Sequence, residues 1–185
     1  MDVFDAIRGR RSVREYNSEP VSRELLDQLV DAAVQAPSAV NEQLWHFTVV
    51  TNRTVLDSIA ANSKAYMLED VAEQPDHFRQ ILSDPKFHIF YNAPALIVIS
   101  GPAGGRWAVE DCALAGENLM LAAHALRLGS CWIGFAQSWL DTDDGRSAIG
   151  LAQDRRAVAP IIVGHPKTAS SAAIPRKKPN IRRIE

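Results

Sequence analysis

The segment from Trp107 to Leu128 constrains this chain more than any other. Wound as a helix, it is apolar around most of its circumference, with Ala108, Cys112, Ala113, Ala115, Gly116, Leu119, Met120, Ala122, Ala123 and Leu126 leaving little polar face. A helix of this kind must be covered on nearly all sides, either by its own core or by a second subunit. A chain of 185 residues with 46% apolar content is large enough for one domain and too small for two comfortable ones. The small residues Ala115, Gly116, Ala122 and Ala123 therefore predict a close crossing with the same helix of a second copy across a two-fold axis.

Around this helix the chain alternates helices and strands. Asp2 to Gly9 reads as two helical turns, with Val3, Phe4 and Ile7 as the apolar side and Gly9 as the stop. Ser22 caps a helix carrying Leu25, Leu26, Leu29, Val30 and Ala33 at helical spacing, and Pro37 ends it. Ala36 to Trp45 is a loop of small and amide residues that lets backbone approach a flat ligand. Strands are predicted at Trp45 to Thr51, Ala95 to Ser100, Ser130 to Phe135 and Ala157 to Gly164, the last with its proline at an edge or strand start. Thr54 caps a further helix to about Asn62, the polar stretch from there to Lys86 stays unassigned, and Asp143 to Ile149 adds a short helix.

The chemistry-bearing stretch is RRSVR, Arg10 to Arg14. In an extended strip Arg10, Ser12 and Arg14 share one face while Arg11 and Val13 take the other. Two guanidiniums and a hydroxyl suit a phosphate, and because the strip leaves the negative end of a helix dipole, side chains must supply the positive field. That field is local, since the net charge is −2 and offers no overall attraction to nucleic acid or an anionic membrane. No apolar run approaches the ~20 residues of a membrane span, and MDVFDAIRG has no basic leader, so a cytoplasmic location is expected. Cys112 and Cys131 read as buried thiols. No metal cluster is visible, and His46, His77, His88, His124 and His165 are assigned structural or surface roles. Beyond Gly164 the chain turns basic, with Arg176, Lys177, Lys178, Arg182 and Arg183 in a tail that cannot build a core.

The order of motifs, RRSVR, APSAVNEQLW, NAPALIVIS, the long helix, GSCWIGF, IIVGHP and PRKKP, resembles the nitroreductase family of FMN-dependent NAD(P)H oxidoreductases over nearly the whole chain. The resemblance implies an α+β fold with a central, mainly antiparallel sheet flanked by helices, in an intertwined homodimer with FMN at the subunit interface. Residues 1–164 would form the FMN-binding domain and 165–185 a C-terminal arm wrapping the partner, with Ile181 to Ile184 adding an edge strand there. By motif position Arg10, Arg11, Ser12 and Arg14 would contact the phosphate, ribityl chain and polar ring edge. Pro37, Ser38, Ala39 and Asn41 would cover the ring of the partner's flavin, Ile133 and Gly134 would lie near its N5 side, and Arg176 and Lys178 would return to the phosphate. Two features depart from the family pattern: Leu44 stands where a proline is common, and no residue of 60–86 registers with the Asn and Lys that relatives place near the pyrimidine, Lys64 being one candidate.

The same resemblance implies hydride transfer from NAD(P)H through flavin N5 to a nitroaromatic, quinone or similar small-molecule acceptor, with ping-pong kinetics and no catalytic side chain, because the cofactor carries the chemistry. Alternatives are oxygen-dependent flavin fragmentation of the dimethylbenzimidazole synthase type and a non-catalytic flavin-binding or sensing protein. Trp132 is the tryptophan placed to line the pocket.

Overall fold

The computed structural model describes residues 1–69, 76–168 and 175–185; the segments 70–75, inside the stretch the sequence leaves unassigned, and 169–174, inside the tail, lie outside the described residues. Four strands, β1 (His46–Val50), β2 (Ala95–Pro102), β3 (Gly129–Trp132) and β4 (Arg155–Gly164), form one sheet in the order β1-β2-β4-β3. Every pair is antiparallel. The helices are α1 (Val3–Gly9), α2 (Arg23–Ala33), α3 (Arg53–Glu69), α4 (Asp76–Ser83), α5 (Ala108–Ala125), α6 (Gly134–Leu140) and α7 (Asp143–Ile149).

The strands read as continuous apolar runs because helices cover both sheet faces. Leu96, Val98, Cys131 and Ile162 pack against Leu56, Ile59 and Ala60 of α3, Ala136, Trp139 and Leu140 of α6, and Ile149 of α7. Ala95, Ile97, Ile99, Ile161 and Val163 point the other way, toward Leu26, Leu29 and Ala33 of α2 and Cys112, Ala115, Leu119 and Ala123 of α5. Each aliphatic side chain so buried contributes about 1.5–3 kcal/mol. This is the α+β architecture expected from sequence.

Several expectations are corrected. Ala115, Gly116 and Ala123 are buried in the chain's own core, so the small residues of α5 serve its packing on the sheet and α2. Gly116 illustrates this: a Cβ there would come to 3.3 Å from both Ile161 and Trp132. Pro160 sits inside β4, opposite Val98, rather than at an edge. It is tolerated because its carbonyl faces the β3 side, where it accepts from Ile133 N–H just past the last β3 pair, so the missing N–H interrupts no ladder bond. The strand expected through Phe135 ends at Trp132, and Gly134 begins α6. Asn52, not Thr54, caps α3, its side chain accepting from Val55 N–H at 3.1 Å, and the helix runs on to Glu69. The expected apolar side of α1 faces outward, with Val3, Phe4 and Ile7 all more than half exposed and Ala6 alone buried.

The arginine strip is seated by a trough in the sheet. Gly129 and Gly164 are direct partners across β3 and β4, and their missing side chains leave room for Val13 and Tyr16. A Cβ on Gly129 would meet Val13 at 2.8 Å, and one on Gly164 would meet the Tyr16 ring at 2.7 Å. Val13 N–H donates to Ser130 O at 3.0 Å, Tyr16 hydroxyl to Val13 O at 2.7 Å, and Asn17 N–H to His165 O at 3.0 Å. The strip thus pairs in parallel with β3 at Ser12 and antiparallel with the continuation of β4 at Tyr16. We expect Gly129→Ala to lower stability by about 1–3 kcal/mol through overpacking, read as a melting temperature lower by roughly 2–4 °C per kcal/mol. A wild-type melting curve for this variant would show that Val13 does not depend on the glycine.

Candidate functional site

Two clefts open along the edge formed by the strip and β3. The first, of about 270 Å³, is lined by Arg10, Arg11, Val13, His124, Arg127, Leu128 and Ser130 among others. It is strongly cationic. Arg10 is mostly buried and, among the described residues, is paired with Glu117 at 3.4 Å, itself half exposed. Arg11 donates through Nη1 to the carbonyls of Arg8 and Arg10, both at 2.7 Å, capping the end of α1, while its buried Nε has no hydrogen-bond partner among the described residues. A buried guanidinium N–H without an acceptor is costly and fits a site that receives an oxygen-rich anion.

The second cleft, of about 480 Å³, is lined by Arg14, Phe78, Ile81, Tyr91, Cys131, Trp132, Ile133, Gly134 and Phe135. Flat aromatic and aliphatic walls with one guanidinium describe a slot for a planar ring bearing one negative edge. Ile133 is buried and turns the chain from β3 into α6, so Gly134 emerges at the cleft floor; a Cβ on Gly134 would meet nothing within 4 Å. That bare backbone is space a ligand can use. Trp132 lines the slot while packing its ring over Gly116.

The extended strip therefore does not bring Arg10 and Arg14 into one cleft: Arg10 joins Arg11 at one end, Arg14 stands at the other, and Ser12 lies exposed between them. Arg10 and Arg14 are separated only by residues 11–13 of one extended strip, roughly 13 Å of chain.

The other expected residues are not brought to these clefts within one chain. Pro37, Ser38, Ala39 and Asn41 form a separate loop, fixed by Ala39 N–H to Asp111 Oδ1 and Gln43 N–H to Ser38 Oγ, each 3.0 Å, and by Arg155 Nη1 to Leu44 O at 2.9 Å. Val40, Asn41 and Gln43 all have positive φ, which for the β-branched Val40 at 45° is strained backbone held outward. Arg176 and Lys178 are exposed, and Ile181 to Ile184 form no strand in the single chain. Lys64 is spent locally, donating to the carbonyls of Asp84 and Phe87. A larger cleft of about 600 Å³ around Asn17, Thr51, Arg53 and Lys167 stands apart, and its Arg53 is tied to Asp57 and Asn92.

Residues that sequence reading missed are Phe78, Ile81, Tyr91, Phe135, His124 and Arg127. The last two lie near the end of the long helix, and a basic pair there facing the strip was the available signal. Neither thiol is poised for nucleophilic work, since burial raises both, Cys112 to about 12. No group of potential metal ligands occurs among the described residues, and no described helix is long and apolar enough to cross a membrane.

Burial first, and then the Arg10 and Arg11 guanidiniums, hold the His124 imidazole below its ordinary 6.5. As pH falls through that value the unfolded chain protonates before the folded one, so folding stability is lost there until the folded imidazole protonates too. We expect the melting temperature to drop more in wild type than in His124→Gln between about pH 7.5 and 5.5. Parallel curves would mean the cationic cleft does not press on this ring.

The chain is similar to known proteins over most of its length. The model of the nitroreductase family matches residues 7–165. A protein of Methanothermobacter thermautotrophicus provisionally named NADH dehydrogenase/NAD(P)H nitroreductase is 37% identical over 140 residues, 72% of this chain; the chain spans 61% of that relative's length. A crystal structure of a nitroreductase with bound FMN from Bacteroides fragilis superposes with a TM-score of 0.87 at 28% identity, covering 100% of both chains. A second FMN-bound nitroreductase, from Desulfitobacterium hafniense, gives 0.83 at 25% identity, covering 98% of this chain and 100% of that one.

Proposed function

The chain belongs to the nitroreductase family, FMN-dependent oxidoreductases that draw on NAD(P)H, and on that premise we propose that it reduces a nitroaromatic, quinone or similar flat electrophile by a ping-pong sequence. The observation that carries the reading is the pairing of the two clefts, one cationic with an unpartnered buried guanidinium N–H, the other flat and aromatic, joined by a strip that reaches both. FMN has the matching anatomy, a dianionic phosphate at one end and a planar ring at the other.

When bound, FMN supplies two-electron redox chemistry between nicotinamide and acceptor. The protein's residues bind and orient it. Arg10 and Arg11, with Ser12, would hold the phosphate, and Arg14 would face the polar ring edge, where its fixed positive charge would favour added electrons. Ile133 and Gly134 would give the ring a floor of bare backbone, and Trp132 and Phe135 would exclude water from it. No side chain of this chain needs to act as nucleophile or metal ligand.

The site is completed by a second copy. Val3, Phe4 and Ile7 on α1 and Val109 and Leu114 on α5 are large apolar side chains between about two-fifths and two-thirds exposed in one chain, and Val40, Ile181 and Ile184 are exposed as well, Val40 and Ile184 almost fully. Dimerisation would cover this surface. It would also carry Pro37, Ser38, Ala39 and Asn41, and the arm residues Arg176 and Lys178, to the partner's flavin, in keeping with a core domain over 1–164 and an arm over 165–185. A cytoplasmic location belongs to the same reading.

The purified protein is expected to be yellow and to bleach anaerobically on addition of NADH or NADPH, the colour returning with a nitroaromatic or quinone. A bound flavin that neither nicotinamide bleaches would leave a binding protein instead. Arg14→Ala removes a charge-assisted contact of about 1.5–3 kcal/mol and should weaken FMN binding by tenfold or more; a variant that stays fully yellow through gel filtration would remove Arg14 from the site. Sedimentation should find a dimer that Phe4→Glu splits.

A further inference from the structure

Tyr91 stands out among the cleft residues because its backbone is left-handed, with φ 50°, followed by Asn92 at 55°. Asparagine tolerates that region; for a bulky aromatic it is a genuine outlier, which persists only where its surroundings impose it. Here they do. Arg53 donates to Asn92 O at 3.2 Å and to Asn92 Oδ1 at 2.9 Å, and the same guanidinium is anchored on Asp57 at 2.6 Å. Asp57 also holds His88 Nε2 at 3.0 Å, while His88 Nδ1 accepts from Phe90 N–H and His88 O from Tyr91 N–H. The start of α3 thus clamps both ends of the turn.

The strain brings one ring into one place. Phe87 meets the Tyr91 ring edge-on, centroids 5.6 Å apart and planes at 77°. On the other side the Arg14 guanidinium carbon lies 5.9 Å from the Tyr91 centroid. Phe87 is itself backed by Lys64, whose Nζ is 5.9 Å from its centroid and fixed to the carbonyls beside it. Arg14 is otherwise exposed, and Tyr91 meets it twice, through the ring face and through a side-chain hydrogen bond from the guanidinium to the phenolic oxygen. Burial pushes the Tyr91 phenol up, so the hydroxyl stays protonated beside the guanidinium.

We propose that Tyr91 is a positioning residue of the cofactor cleft: the clamped turn presents its ring as a platform that fixes the Arg14 guanidinium toward the ring edge of the bound flavin. The proposal rests on the FMN reading of the preceding subsection, and although the hydroxyl also accepts from the guanidinium, it assigns the ring as the principal working part. Tyr91 acts through Arg14, so its removal should matter only while Arg14 is present.

The test is FMN affinity, measured by quenching of flavin fluorescence on titration with apoprotein whose fold is verified by circular dichroism. Tyr91→Phe keeps the platform and should bind within about twofold of wild type; Tyr91→Leu should bind about fivefold more weakly. Tyr91→Asn, which suits left-handed backbone without supplying a ring, should match the leucine variant and stands in for it if that variant does not fold. In an Arg14→Ala background, Tyr91→Leu or Tyr91→Asn should add nothing. Full additivity in that background, wild-type affinity in the ringless variants, or a phenylalanine variant as weak as they are would each overturn the proposal while leaving the FMN site standing. If Arg14→Ala alone binds FMN as wild type does, the reading of the cleft falls first and this proposal with it.

Discussion

Two glycines facing each other across β3 and β4 decide where the charge of this molecule goes. Gly129 and Gly164 leave a trough, and Val13 and Tyr16 fill it. Because side chains alternate along the strip, seating Val13 against the sheet sends Ser12 and Arg14 to the opposite, exposed side, while Arg10 and Arg11 gather in the cleft at the α1 end. The backbone bonds to Ser130 and His165 then fix the register, and a slip of one residue would exchange the buried and the charged positions. The cationic cleft and the aromatic slot are consequences of that seating, since each takes its guanidiniums from one end of the same strip.

The sheet beneath explains why the trough is rigid. β4 is hydrogen-bonded on both sides and covered by helices on both faces, so Ala157 to Gly164 are all buried. Antiparallel sheets more often leave a face to water. Here α2 and α5 take one face and α3, α6 and α7 the other, which is why strand and helix alike read as apolar. A bulge between Ile99 and Ser100 shifts the β2 register, and Asp141 receives the Ala157 N–H at 2.7 Å on the β4 side of it.

Much of this was legible in the residues. Long apolar strands, the capped α2 and the RRSVR strip follow from period, capping chemistry and charge, and the order of motifs gave the family. Other features were hidden for physical reasons. Pro160 looked like an edge residue because a sequence does not say which side of a strand its missing N–H faces. The small residues of α5 looked like a helix–helix seam because Ala and Gly permit close approach to any neighbour, and the sheet was the neighbour. Gly134 and Phe135 lie where strand becomes helix within one residue, and no periodicity fits into so short a span. Tyr91 carried no signal at all, since its left-handed backbone is imposed from α3, 38 positions away at Arg53 by the hydrogen bond to Asn92.

A second copy would also account for the surface. The loop from Pro37 to Asn41 is held stiffly, with Asp111, Ser38 and Arg155 satisfying its backbone, yet it presents Val40 almost fully to solvent. Strain and hydrogen bonds concentrated on an outward-facing loop would suit a contact with a second chain. The same holds for a tail with six lysines and arginines and the exposed Ile181 and Ile184, and for a short helix that turns its apolar residues away from its own core. Each becomes intelligible if a second copy lies opposite, because then the loop covers a ring, the cations meet a phosphate and the apolar side chains meet one another. The cofactor would in that case be part of what holds two chains together, and loss of flavin and loss of the dimer would be coupled through the same residues.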